Sequence, residues 1–98
     1  MKIEDKIIVL LPYNKKNAIT TKQLTEVTGL TVRQLKDVIV HLRQTFPVLS
    51  KTEDGGGYWI SRNKQEVDEF CFGLKSRADA HLKTIEMMTK LKREMSEL

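Results

Sequence analysis

Two segments of this 98-residue chain carry the same helix-start signal, and a glycine lies between them. At Thr20 and again at Thr31, a threonine is followed three positions later by a glutamine. In such a capping box the hydroxyl accepts a hydrogen bond from a first-turn N–H, and the glutamine side chain reaches back to the threonine N–H. Gly29 can adopt the positive φ that ends a helix. The sequence therefore predicts two helices joined by a short turn, which is a helix-turn-helix.

The apolar residues around this turn have the spacing of buried helix faces. We predict one helix over residues 21–28 and the next over residues 31–46, closed by Pro47. Counted from Thr21, Gly29 is ninth, and aliphatic residues stand fourth, tenth, fifteenth and eighteenth: Leu24, Leu30, Leu35 and Val38. The buried stripe of the second helix is predicted to continue through Ile39, Leu42 and Phe46. Thr25 stands fifth, where a smaller residue is usual.

Two further elements are predicted before the capped pair. Residues 2–11 form a helix that ends at Pro12, and its apolar face comprises Ile3, Ile7, Leu10 and Leu11, with Ile8 beside them. After a polar loop, Ala18-Ile19 is expected to pair as a single extended piece.

A two-stranded β-hairpin is predicted after Pro47. The β-prone runs 48–51 and 58–61 are joined by a glycine-rich connection, the signal for a hairpin. Alternation of side chains turns Tyr58 and Ile60 toward the helix 31–46 and Trp59 to the other side. The three glycines 55–57 either let the tip approach a surface or form a permissive turn. Acidic Glu53 and Asp54 favour the permissive turn, because they repel phosphate.

The last third of the chain predicts one long helix. From Asn63 no proline occurs and only Gly73 interrupts a helix-favouring composition, so about 35 residues can span about 50 Å. Gly73 marks a possible kink. The apolar stripe comprises Cys71, Leu74, Ala78, His81, Ile85, Met88, Leu91, Met95 and Leu98. Because it exceeds what a domain of about 60 residues covers, we expect a homodimer through a parallel or antiparallel helix pair. The alternative is a helix folding back on its own domain.

Three runs of the sequence resemble a known family. They are LKDVIVHLR (35–43), PVLS (47–50) and GYWI (57–60), and they are similar to the small winged-helix DNA-binding proteins of phages and prophages of Gram-positive bacteria. The resemblance covers residues 18–90 and departs at Thr45-Phe46, where a glycine is common. It implies binding to double-stranded DNA without selecting among regulation, excision and replication. The expected fold is mainly α with a small β-hairpin (α+β): a winged helix-turn-helix domain (1–62) followed by a long C-terminal helix (63–98).

The charge distribution is compatible with a polyanionic partner. The net charge is +4, and all of the excess lies in residues 1–62, with ten Lys/Arg against six Asp/Glu. If the helix 31–46 enters the major groove, Arg33 is the candidate for guanine and Val32 or Thr31 for a thymine methyl. Gln34 and Asp37 accompany them. The candidates for phosphate are Lys36, Arg43, Lys15, Lys16, Lys22, Lys51 and Arg62. Arg43 has an alternative, an ion pair with an acid on the last helix.

Other classes of function have little support. The sequence has no nucleophile–base pair and no phosphate loop, so we expect no enzyme, cofactor or small-molecule ligand. His41 and His81 lack partners at zinc spacing, and Cys71, between two phenylalanines, is predicted to be a small core residue. No run is long enough for a membrane span, and a cytoplasmic protein is expected. The competing hypothesis is a winged-helix protein–protein interaction module in a replication or regulatory complex without direct DNA reading.

Overall fold

A computed structural model describes residues 2–96, except for the side chains of Asp54 and Ser96. Four helices and one hairpin follow in the order α1 (Ile3–Leu10), α2 (Thr21–Thr28), α3 (Val32–Leu42), β1 (Val48–Lys51), β2 (Gly57–Ile60) and α4 (Lys64–Ser96). The expected α+β architecture, a winged helix-turn-helix followed by a long helix, is confirmed. Leu98, the last predicted stripe position, lies outside the described residues.

Both capping boxes are present, and they explain where α2 and α3 begin. Thr20 Oγ1 accepts from the N–H of Gln23 at 3.1 Å, and Gln23 Oε1 accepts from the N–H of Thr20 at 2.9 Å. Thr31 and Gln34 repeat the exchange at 3.1 and 3.0 Å. Gly29 has a φ of 76° and donates its N–H to a carbonyl of α2. The predicted turn is therefore confirmed.

Helix α3 ends at Leu42, four residues before the predicted end at position 46. Residues 43–46 form a turn in which Gln44 and Thr45 donate to the carbonyls three positions back, at 3.2 and 3.0 Å. A residue that precedes proline is driven to extended backbone, so the helix tightens and stops before Pro47. Consequently Phe46 is exposed, and its predicted place in the buried stripe was wrong.

The apolar face of α1 is narrower than predicted. Ile7 and Leu11 are buried, and Ile3 and Ile8 pack against the core. Leu10 is exposed, because it follows Ile7 by three positions and so lies at the edge of the face that Ile3, Ile7 and Leu11 share. Its predicted place on the buried face was therefore wrong.

A single β-bridge joins the hairpin to the segment before α2. Strands β1 and β2 are antiparallel, with Leu49 opposite Trp59. Ile19 pairs with Tyr58 on the open edge of β2, through N–H···O distances of 3.0 and 2.8 Å. The expected pairing of Ala18-Ile19 is confirmed, and it ties the chain before α2 to the hairpin.

One core unites the three N-terminal helices with one face of the hairpin. Its buried members are Ile7, Leu11, Leu24, Leu35, Ile39, Leu42, Val48, Tyr58 and Ile60. Tyr58 and Ile60 therefore face the helices, as predicted. Trp59 and Leu49, on the opposite face, are also buried. Trp59 Nε1 donates to Glu66 Oε1 at 2.8 Å, so the start of α4 caps this side.

The chain divides into two compact units between Val67 and Asp68. The second unit is the remainder of α4, which continues through Gly73 without interruption. Cys71 is exposed, so its predicted place in the core was wrong: it lies on a helix face that no other part of its unit covers. Within residues 2–96, no helix combines the length and apolar character needed to cross a membrane.

Candidate nucleic-acid interface

Helix α3 has one buried and one open face. Leu35, Ile39 and Leu42 are buried in the core, whereas the predicted reading residues Thr31, Val32, Arg33, Gln34, Lys36 and Asp37 are all exposed. The structure brings these six side chains together over the first two turns of one helix. An open face on the first turns of the second helix of a helix-turn-helix is the part that inserts into a major groove.

The capping residues of α3 already have a structural role. The Thr31 hydroxyl accepts the N–H of Gln34, and the Gln34 side chain accepts the N–H of Thr31. If either side chain contacts a base, its capping hydrogen bond must either persist or be replaced by a bond to the base. Val32, Arg33, Lys36 and Asp37 contribute to no cap. They are therefore the residues of this surface whose side chains have the most freedom to adapt to a ligand.

A shallow groove of about 250 Å³ lies between α3 and the hairpin. Its lining comprises Lys36, Ile39, Val40, Arg43, Ser50 and Tyr58. Two of the predicted phosphate-binding side chains, Lys36 and Arg43, therefore border the same groove. Sequence reasoning predicted that Tyr58 faces α3 but missed Ser50, because the approach of Ser50 to α3 depends on how the hairpin docks and has no local signal.

Arg43 joins α3 to β1. Its Nε donates to the carbonyl oxygen of Val48 at 2.8 Å, and a terminal nitrogen donates to Ser50 Oγ at 3.2 Å. Partial burial of the guanidinium lowers the pKa of Arg43 from its usual value. Because a guanidinium stays charged even when it is partly buried, Arg43 still contributes positive potential beside Lys36.

The hairpin tip is fastened to the loop before α2. Lys15 Nζ lies 2.6 Å from Glu53 Oε1 and 6.0 Å from the centre of the Trp59 ring. The hydrogen bond from Lys15 lowers the pKa of Glu53 to about 2, so this carboxylate stays ionised at neutral pH. Lys15, predicted to contact phosphate, is thus shared with an acid at the tip.

Gly57 shows one physical reason for a glycine beside this aromatic strand. Its φ is 141°, and a Cβ built on it would lie 2.8 Å from the Cβ of Ala18. No side chain fits between β2 and the extended piece that pairs with it. The glycine run therefore serves the fold at this position, whether or not the tip also meets a ligand.

The remaining basic candidates lie around the edge of the first unit. Arg62 stacks on Tyr13, with 3.8 Å from its guanidinium carbon to the ring centre. Lys16 and Lys22 are exposed, in the loop before α2 and in the first turn of α2. Lys51 is half-buried at the end of β1. The stacking on Tyr13 holds the Arg62 guanidinium at a fixed position and leaves its charge available to a phosphate.

The second unit presents the predicted association residues on one helix. Leu74, Ala78, His81, Ile85, Met88, Leu91 and Met95 all belong to α4 and are all exposed. Leu82 adds a further exposed aliphatic side chain near the same face.

No protein-family model, curated protein or solved structure gives a significant match to this chain.

Proposed function

We propose that this protein binds double-stranded DNA and reads the major groove with the first turns of α3. The observation that carries the proposal is the open face of α3, where Val32, Arg33, Lys36 and Asp37 are exposed while the opposite face is buried. A well-capped helix presented in this way matches how winged helix-turn-helix domains engage DNA. The proposal extends the resemblance to phage and prophage proteins, with a role in transcription regulation, replication or excision in the cytoplasm.

Each exposed side chain has a chemical role in this proposal. The Arg33 guanidinium has the fork geometry for the O6 and N7 acceptors of a guanine, and the methyl groups of Val32 suit the C5-methyl of a thymine. Lys36 and Arg43, at the groove beside β1, supply positive charge to the DNA backbone. Asp37 supplies an acceptor for a cytosine N4 amine.

The excess of positive charge in residues 1–62 supports the proposal through its effect on affinity. Each phosphate neutralised releases condensed counterions, so affinity falls steeply with salt, by a slope of roughly 0.9 per contact in a log–log plot. Exposed Lys16 and Lys22, with Arg62 held on Tyr13, provide such contacts outside α3.

Substitution of Arg33 tests the proposal most directly. Arg33→Ala is expected to lower affinity for a selected duplex by about 1–3 kcal/mol and to relax base preference at one position. Lys36→Ala is expected to weaken all sequences alike and to reduce the salt slope by about one. The measurement is a binding titration at several salt concentrations, on a site obtained by selection from random duplexes.

Arg77→Ala is the matched control, because Arg77 is exposed on α4 in the second unit. It removes the same charge and is expected to leave base preference unchanged. Equal binding of selected and random duplexes by wild type and Arg33→Ala would show that α3 is not the reader.

A protein-docking module is the second candidate, and exposed valines favour it. Val27, Val32 and Val40 on α2 and α3 are 66%, 50% and 61% exposed, more apolar surface than phosphate contact needs. The two candidates differ in salt dependence. Duplex binding that falls steeply with salt supports DNA reading, whereas absent or salt-insensitive duplex binding supports docking on a protein.

A further inference from the structure

We infer that α4 pairs with α4 of a second copy in antiparallel orientation, about a two-fold axis between Asp79 and Ala80. This inference goes beyond DNA binding and does not depend on it. It rests on three properties of α4: the exposed apolar area, the charge of its two ends, and the sizes of the side chains that meet across the axis.

The apolar area is sufficient for a second copy of this helix. Five side chains of the predicted apolar stripe, together with Leu82 near the same face, are between 42% and 69% exposed: Leu74, Leu82, Ile85, Met88, Leu91 and Met95. If each of the six buries the apolar surface typical of a side chain of its size, they offer on the order of 500 Å² per copy and 1,000 Å² for a pair. That area reaches the roughly 1,000 Å² that a specific interface needs, and exceeds what a monomer normally leaves open.

The ends of α4 carry opposite charge. Residues 63–76, which face residues 83–96 across this axis, have three acids, Glu66, Asp68 and Glu69, against Lys64 and Lys75, a net charge of −1. Residues 83–96 have four basic side chains, Lys83, Lys90, Lys92 and Arg93, against Glu86 and Glu94, a net charge of +2. An antiparallel pair places the acidic end of each copy beside the basic end of the other, whereas a parallel pair places like charges together.

The side chains meeting across the axis are complementary in size. With the two-fold axis at the midpoint of α4, Ala78 faces His81 of the second copy, Leu74 faces Ile85, and Cys71 faces Met88. The small residues Ala78 and Cys71 therefore oppose larger ones on either side of the Leu74–Ile85 pair, an arrangement that fills a helix interface at normal packing density. A parallel pair in register would instead place Ala78 on Ala78, which leaves a void, and His81 on His81.

The single cysteine of the chain makes the orientation measurable. In the antiparallel pair the two Cys71 thiols are separated by 17 residues along the axis, about 25 Å, which is too far for a short thiol–thiol crosslinker. Met88→Cys places a second thiol opposite Cys71 of the other copy. Met87→Cys is the matched control: Met87 and Met88 are 53% and 62% exposed, but position 87 points about 100° away around the helix.

The experiment combines the solution mass of the full chain with crosslinking under native conditions. We expect a mass of two chains, little crosslinking of wild type and Met87→Cys, and crosslinking of Met88→Cys faster by on the order of a hundredfold. The acceleration follows from the millimolar effective concentration of thiols held opposite each other.

Three results would overturn the inference. They are a mass of one chain at high protein concentration, efficient crosslinking of wild-type Cys71 within a dimer, which indicates parallel helices, and equal rates for Met88→Cys and Met87→Cys. Circular dichroism of each variant establishes that α4 is intact, so that a folding defect is not taken for a failed pairing.

Discussion

At the scale of single residues, the hairpin is held by contacts that leave little room for change. Gly57 lies against Ala18, Trp59 donates to Glu66, and Lys15 bridges to Glu53. The bond from Trp59, with a smaller contribution from Ser61, lowers the pKa of Glu66 below its usual value. These contacts fasten one face, one edge and the tip of the hairpin, so the wing is part of the folded unit.

Gly57→Ala tests the close approach at this edge. The new Cβ meets Ala18 at 2.8 Å and requires a backbone conformation that alanine rarely adopts. We expect a loss of about 3 kcal/mol in the free energy of unfolding, from strain and overpacking together. Gly55→Ala is the control, because its φ is also positive but its Cβ meets nothing within 4 Å. It should cost only about 1–2 kcal/mol.

Urea denaturation followed by the fluorescence of the single tryptophan measures both variants. Adding Ala18→Gly to Gly57→Ala should recover part of the loss, because it removes the nearest contact. Equal destabilisation by the two glycine substitutions would contradict a steric role for position 57.

At the scale of elements, local signals in the sequence located helix starts, and distant contacts set the rest. The Thr20 and Thr31 capping boxes use residues three positions apart, so the sequence alone predicts them. Both are present in the structure. The docking of α3 on the hairpin is different, because it depends on bonds from Arg43 to Val48 and Ser50 of the next strand. The exposed face of α3 was predictable from the apolar period and the approach of Tyr58 from strand alternation, whereas the position of Ser50 at the groove was not.

Arg43→Lys separates the structural role of this residue from its charge. Lysine keeps the charge but cannot donate to Val48 and Ser50 with the same planar fork. We expect a loss of about 1–3 kcal/mol in the free energy of unfolding, because a partly buried carbonyl loses its donor. Lys36→Arg, on the same groove, should change stability by less than about 0.5 kcal/mol. Chemical denaturation of both variants measures the difference. An unchanged free energy of unfolding for Arg43→Lys would contradict the structural role of Arg43.

At the scale of the whole molecule, an antiparallel pair of α4 helices would give the assembly a two-fold axis. Two-fold symmetric DNA-binding proteins recognise inverted repeats, because each subunit reads one half-site. The antiparallel inference and the proposed function together therefore specify the symmetry of the DNA site. Either can fail without the other, because the first concerns α4 and the second α3.

Ile85→Glu tests this link between association and binding. A carboxylate at the centre of the apolar stripe is expected to separate the copies, because its burial without a partner is costly. Affinity for an inverted repeat should then fall by at least about tenfold, while affinity for an isolated half-site stays unchanged. Sedimentation and binding titrations on the two duplexes provide the comparison. Glu86→Gln, on an adjacent position outside the predicted seam, is the control, and an equal loss on both duplexes would contradict the link.

The pairing of Ile19 with Tyr58 also has a consequence for the order of folding. Residues that are far apart along the chain meet there, and Ile60 donates its N–H to the carbonyl of Pro12 at 2.8 Å in the same region. Closing so long a loop costs entropy that the capped helices do not incur, because their contacts are local. We therefore expect the helices to form early and the docking of the hairpin on the segment before α2 to follow them.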